Sequence, residues 1–284
     1  MKRTVTLANG RTVPAIGQGT WFLGDDPSVR STEIEALQKG IEAGMTLIDT
    51  AEMYGSGRSE RLVGDAIKGF DRDSLFLVSK VLPQNAGKSR MRRALEGTLS
   101  RMGTDHLDLY LYHWRGSYPL SETVACFEEL KREGLIRDWG VSNFDVDDME
   151  ELWHTPGGTA CLVDQVLYHT GSRGIEYALI PWMKKHRVTL MSYCPLAQAG
   201  SLRRGLFHDE VLQRLADKYG VSVPEILLAW NVRSGNTIAI PRSGKAAHTL
   251  SNAHAGTIEL TEEDLALIDS RFPAPIRKEP LDIE

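Results

Sequence analysis

The sequence predicts an α/β protein, a (β/α)8 barrel of the TIM type, folded as one domain over residues 1–284. Three observations carry that expectation. Short apolar runs alternate with amphipathic stretches at intervals of roughly 30 residues, the size of a strand–helix–strand unit. A chain of 284 residues suits a fold that takes about 250 as a single domain. Three successive apolar runs also end in ionisable groups of different kinds: Thr46 to Asp49, Leu75 to Lys80 and Leu107 to His113. In a parallel barrel such C-terminal strand ends face one mouth, where chemistry sits.

Each element has its own signal. Thr4 to Leu7 and Arg11 to Val13 flank Asn9-Gly10, a hairpin turn signal. Ala15 to Thr20 reads as the first barrel strand, with Gly17 and Gly19 allowing close approach. Ser31 to Ala43 has helical spacing, with Ile34, Leu37 and Ile41 on one face. The strand ending at Asp49 follows the turn residue Gly44, and Ser59 to Lys68 forms the next helix. After the strand ending at Lys80 comes a basic helix, Lys88 to Arg101. Its Arg90, Arg92, Arg93 and Arg101 read as a solvated barrel face rather than a polyanion site. Past His113, Ser121 is expected to cap a helix carrying Phe127 and Leu130 that stops at Gly134. Strand five is Ile136 to Val141, followed by a short helix from Asp147 to Trp153. Strand six is Cys161 to Val166, helix six Tyr177 to His186, and strand seven Val188 to Tyr193. Two helices, Asp209 to Tyr219 and Pro224 to Arg233, precede strand eight at Thr237 to Ile240. Pro224 suits a helix start. Ala246 to Ala253 and Thr261 to Arg271 close the chain as helices, the second opened by the capping-box pattern Thr261-Glu262-Glu263-Asp264. The tail after Phe272 is expected to cross the barrel surface as a loop.

Composition narrows the partners. A net charge of −5 argues against nucleic acid or an anionic membrane. No apolar run approaches the ~20 residues of a membrane span, and Met1-Lys2-Arg3-Thr4-Val5 lacks a secretory apolar stretch. Cys126, Cys161 and Cys194 form neither a metal pattern nor a disulfide framework. The expectation is a cytoplasmic protein, monomeric or weakly homo-oligomeric, without a metal, whose partner is a small molecule.

Asp49, Lys80 and His113, with Tyr54 just beyond the first strand, make a specific set. Tyrosine, with a pKa of about 10, is a sluggish acid near neutrality. A neighbouring ammonium is expected to stabilise tyrosinate and lower that value. An aspartate behind the lysine keeps it charged and oriented, and a histidine hydrogen-bonds a substrate oxygen or shares in proton transfer. Such a set protonates a carbonyl oxygen while another agent attacks the carbon. The nicotinamide fingerprint Gly-x-Gly-x-x-Gly is absent, Gly17-Gln18-Gly19 lacking its third glycine, and no Tyr-x-x-x-Lys pair exists.

At these residues the sequence resembles the aldo-keto reductases. The matching strings are Ile48-Asp49-Thr50-Ala51 with Tyr54-Gly55, Val78-Ser79-Lys80, Leu109 to Trp114, Trp139 to Phe144, Asp164-Gln165-Val166 with Tyr168-His169, Ser192 to Leu196, and Ile240 to Ser243. They run in family order over nearly the whole chain. Gln165 to Gly174 and Leu196 to Gly200 are most similar to a bacterial branch that reduces methylglyoxal and related aldehydes. The resemblance implies that the hairpin closes the barrel bottom and that a nicotinamide nucleotide lies extended across the mouth. It assigns Ser142, Asn143 and Gln165 to the carboxamide, Tyr193 to stacking on nicotinamide, and Leu196 to the pyrophosphate side. Arg242, Ser243 and Asn252 fall at the adenosine end, and Gly19 and Thr20 also at the cofactor. Trp21, Trp114 and His113 are expected at the substrate, and His169 at its rim. Where many members place an arginine on the 2′-phosphate this chain has His248, so NADPH is expected to be favoured with NADH a weaker second. The implied activity is reduction of aldehydes and ketones to alcohols. The alternatives are a sugar or alcohol dehydrogenase running the same residues in reverse, and a non-catalytic nucleotide-sensing barrel subunit.

Overall fold

The computed structural model describes residues 3–198 and 200–283, with the backbone alone at 200–202. Readings that involve Met1, Lys2 or Ala199 therefore lie outside the described residues.

Eight parallel strands form the barrel in chain order: β3 (Gln18–Gly19), β4 (Leu47–Asp49), β5 (Phe76–Val81), β6 (Leu107–Tyr112), β7 (Ile136–Ser142), β8 (Val163–Leu167), β9 (Thr189–Tyr193) and β10 (Thr237–Ala239). β1 (Thr4–Thr6) and β2 (Thr12–Pro14) make the antiparallel hairpin ahead of them. The sheet closes through the first strand. Gly17 N donates to Ala239 O at 2.8 Å, Gly19 N to Pro241 O at 3.1 Å, and Ala239 N to Ala15 O at 2.8 Å. The glycines are there for space. A side chain at Gly17 would meet Leu47 Cδ2 at 2.6 Å, and one at Gly19 would meet Ile240 O at 2.6 Å. The Ala15–Thr20 strand is thus shorter as a regular element than its sequence suggests.

Alternation along the strands sorts the side chains. Leu47, Val78, Leu109, Leu111, Val163, Met191 and Ile238 fill the barrel interior with Val5, Leu7 and Val13 of the hairpin. Their neighbours Ile48, Leu77, Tyr110, Tyr112 and Trp139 face the helices. The same parity carries Asp49 behind Leu47, Lys80 behind Val78 and Gln165 behind Val163, all toward the mouth. At the other end the hairpin is clamped. Arg11 Nη1 donates to the fully buried Asp108 at 2.6 Å, and Asn9 Nδ2 to Asp138 Oδ2 at 2.6 Å.

The outer layer contains α1 (Arg30–Glu42), α2 (Arg58–Ala66), α3 (Met91–Met102), α4 (Leu120–Arg132), α5 (Val146–His154) and α6 (Leu179–His186). After β9 come α7 (Gly200–Phe207), α8 (Glu210–Tyr219) and α9 (Val223–Asn231), then α10 (Ala246–Ala255) and α11 (Glu262–Arg271) behind β10. Three helices therefore stand between β9 and β10 where the sequence suggests two. α7 escapes because Gly205 and the arginines break its apolar spacing. Ser121 is not a cap: α4 begins one residue earlier, behind Pro119. Pro224 lies in the first turn of α9 and the Thr261–Asp264 capping box forms, both as expected, while the Ser222 cap of α9 was not foreseen. The tail runs as a loop, with Ser172 Oγ donating to Asp282 at 2.5 Å and Lys278 beside Asp145 at 3.4 Å. Among the described residues no helix is long and apolar enough to cross a membrane.

Candidate active site

The three strand-end groups and Tyr54 meet at the mouth. Lys80, fully buried, donates from Nζ to Asp49 Oδ2 at 2.6 Å, to the Thr50 carbonyl at 2.8 Å and to Tyr54 Oη at 3.1 Å. An ammonium has three donors and no acceptor, so all three are engaged and Tyr54 Oη is an acceptor toward Lys80. The phenol's own proton is then free to point elsewhere. Asp49 is held from both sides, its other oxygen accepting from Gln165 Nε2 at 2.8 Å. Beneath it a buried hydroxyl cluster sets the backbone: Thr20 Oγ1 donates to Asp49 O at 2.9 Å, and Ser59 Oγ to Thr20 Oγ1 at 2.8 Å.

Tyr54 is delivered by a turn rather than by a strand. Gly55, Ser56 and Gly57 all take positive φ, at 54°, 53° and 84°, which coils the chain tightly ahead of α2. The serine bears a strain that glycine would not. A side chain on Gly57 would strike Arg101 at 2.6 Å. Tyr54 lies edge-on to His113, with ring centroids 5.8 Å apart, and nearly parallel to Trp21 at 6.2 Å.

Burial governs the protonation states. It pushes Lys80 below and Asp49 above their ordinary values, while their mutual attraction opposes both. Burial, with the Asp49 charge next, also pushes Tyr54 well above the usual tyrosine value. This corrects the expectation of a lowered tyrosine pKa. Lys80 faces its own counter-ion, so the pair presents little net charge to the phenol and desolvation prevails. Tyr54 therefore stands protonated and neutral. Burial, reinforced by Lys80, lowers His113 to about 2, so its ring is neutral. Its Nδ1 is buried without a hydrogen-bond partner.

These groups floor a cleft of about 830 Å³. Trp21, Phe22, Met53 and Trp114 line it, Trp21 packing on Tyr54 and Trp114 on His113. Gly19, Thr20, Ser142, Asn143, Gln165, Tyr193 and Leu196 line it too, as do the polar and cationic Arg203, Arg242, Ser243, Lys245 and His248. Asn143 takes a left-handed φ of 59°, which turns its Nδ2 onto His113 O at 3.1 Å while Oδ1 accepts from Tyr193 Oη at 2.9 Å. The helix that follows is capped by Asp145, not by Ser142 or Asn143.

Two expectations are revised. Asn252 is buried in α10 and does not line the cleft. His169 is buried in the loop after β8, accepting from Gly171 N at 3.1 Å, and is no rim residue. Sequence reasoning missed Lys245, Arg203, Phe22 and Glu33 in the lining. Lys245 was accessible from its place three residues past Arg242. Glu33 carried no such signal, since acidic residues are ordinary in a helix's first turn.

Comparison with known proteins identifies the family. A model of the aldo/keto reductase family matches residues 15–271. The chain is 48% identical over 282 residues to methylglyoxal reductase YeaE of Escherichia coli K12, covering 99% of each chain. It is 34% identical to a glyoxal reductase of Bacillus subtilis, over 95% of this chain and 93% of that one. An aldo/keto reductase from Klebsiella pneumoniae, crystallised with NADP and acetate, superposes with a TM-score of 0.97 at 50% identity over 100% of both chains. On its sequence and on its fold alike, this chain belongs to the aldo/keto reductase family and is an oxidoreductase.

Proposed function

We propose that the protein is an NADPH-dependent carbonyl reductase that acts on small reactive aldehydes and dicarbonyls such as methylglyoxal, with Tyr54 as the proton donor. The observation that carries this reading is the Lys80 donor count, which leaves the Tyr54 proton free at a cleft floor. The donor set also suits a nicotinamide dinucleotide: amides and a hydroxyl near the Tyr193 ring, with cations elsewhere in the lining. Ser142, Asn143, Gln165 and Tyr193 would hold its nicotinamide end, and Arg242, Ser243, Lys245 and His248 its phosphates. When bound, that group supplies hydride to the carbonyl carbon.

The chain's own residues do the rest. Tyr54 gives its proton to the carbonyl oxygen. Lys80, fixed by Asp49 and the Thr50 carbonyl, stabilises the tyrosinate left behind. Neutral His113 offers a hydrogen bond to the same oxygen, and Trp21 and Trp114 exclude water from it. The small-substrate assignment is supported by the methylglyoxal and glyoxal reductases it resembles.

The test is the loss of NADPH fluorescence with a panel of carbonyls. The reading expects a higher specificity constant for methylglyoxal than for a steroid ketone. The reverse order would overturn the substrate assignment, and no turnover of any carbonyl would overturn the activity.

A further inference from the structure

Glu33 sits in the first turn of α1, 4% exposed, and lines the cleft beside Gly244, in the Arg242–Lys245 stretch. One oxygen is accounted for: Oε2 accepts from Gly24 N at 2.8 Å. Oε1 takes no hydrogen bond and the carboxylate forms no ion pair among the described residues. Nor is Oε1 among the buried atoms sealed away without a partner, so it opens to the cleft. Holding Gly24 needs only one acceptor, which a neutral amide would supply. A carboxylate kept nearly buried without a cation is costly, and a hydroxyl donor brought by a ligand would relieve that cost.

The surroundings indicate which donor. Gly244, between Ser243 and Lys245, leaves the approach open, for a methyl there would stand 3.2 Å from Glu33 Cγ and 3.5 Å from Oε1. The free oxygen therefore abuts the stretch that offers cations to phosphate. An acidic side chain beside a ribose accepts its hydroxyl and repels a phosphate in the same place.

We propose that Glu33 reads the ribose in this part of the cleft, its Oε1 accepting a 2′-hydroxyl and opposing a 2′-phosphate, so that it limits how sharply the chain prefers NADPH to NADH. This rests on the nucleotide-binding reading above. Arg242, Lys245 and His248 pull toward the phosphate, and Glu33 pulls against them.

The experiment is equilibrium titration of the purified protein with NADPH and with NADH by fluorescence. Calorimetry with ADP and 2′,5′-ADP gives the same comparison without the nicotinamide. Glu33→Gln retains an acceptor for Gly24 N. It should weaken NADH, tighten NADPH and raise the ratio of their dissociation constants about tenfold, the scale of one charge-assisted hydrogen bond. Gly244→Ala, which shields Oε1 while leaving Glu33 in place, should move the ratio the same way and serves if Glu33→Gln does not fold. A ratio unchanged to within about twofold in the folded variant, with both dinucleotides still bound, overturns the role of Glu33 alone. A wild-type protein that binds neither dinucleotide overturns the nucleotide reading itself.

Discussion

Lys80 has three donors, each matched to an acceptor on Asp49, Thr50 or Tyr54, and that count organises the site. Replacing it by methionine leaves Asp49 buried without its cation and Tyr54 without the group that fixes its proton's direction. Lys80→Met should be about as damaging to turnover as loss of the tyrosine hydroxyl, and the double variant should cost little more, because residues acting as one unit are non-additive. Steady-state rates of the two single variants and the double check this. Multiplied losses would mean two independent roles. The neutral histidines give a second expectation. Burial lowers His113 to about 2 and His169 to about 4. The unfolded chain binds a proton on each near pH 6.5, whereas the fold resists it. The unfolded state therefore holds more protons below that pH. The stability tied to these groups is complete above pH 6.5 and is lost as pH falls, down to about 4 for His169. The unfolding midpoint, followed from pH 8 to 5, should fall on acidification, and less steeply in His113→Gln. Over that range kcat should show no limb that His113→Gln removes.

At the level of elements, the strands were legible because a parallel strand buried on both faces leaves a continuous apolar run. Strand parity then places Asp49, Lys80 and Gln165 on the inward face without further information. What stayed hidden depends on backbone conformation and distant packing. The left-handed turn Gly55-Ser56-Gly57 aims Tyr54, and its meaning becomes clear only once Arg101 is seen against it. Helix α7 lacks a clean apolar face. Of the three reciprocal capping boxes among the described residues only Thr261–Asp264 was read from the sequence; those at Asp145 and Ser222 went unread, and Ser121, a lone serine after Pro119, was read as a cap it is not. The α11 box offers a local test. Thr261 Oγ1 accepts from Asp264 N at 3.2 Å, and Thr261 N donates to Asp264 Oδ2 at 3.1 Å. Thr261→Ala should destabilise the protein by about 0.5–2 kcal/mol. The unfolding midpoint should drop by about 2–4 °C for each kcal/mol, with activity at low temperature unchanged. An unaltered midpoint would mean that α11 adds nothing to the cooperative fold.

In the whole molecule, the two ends of the barrel divide the work. The hairpin, held by the Arg11–Asp108 ion pair and the Asn9–Asp138 hydrogen bond, closes the lower end, which leaves the upper end to carry costly buried charge. The cleft in turn is lined by aromatic and by cationic side chains, with Tyr54, the proposed proton donor, on its floor. The gross layout was readable from strand order and strand-end residues. The electrostatic detail was not: desolvation reversed the expected direction for Tyr54, and Glu33 came into the cleft through the packing of α1 beside α10. The central claim is that Tyr54 delivers the proton and takes no part in holding the nucleotide. The direct measurement is kcat for methylglyoxal reduction by Tyr54→Phe, alongside the NADPH dissociation constant of the same preparation. A fall in kcat of about 10²–10⁴ with cofactor affinity nearly unchanged is the predicted result. A variant that keeps the wild-type rate would contradict it.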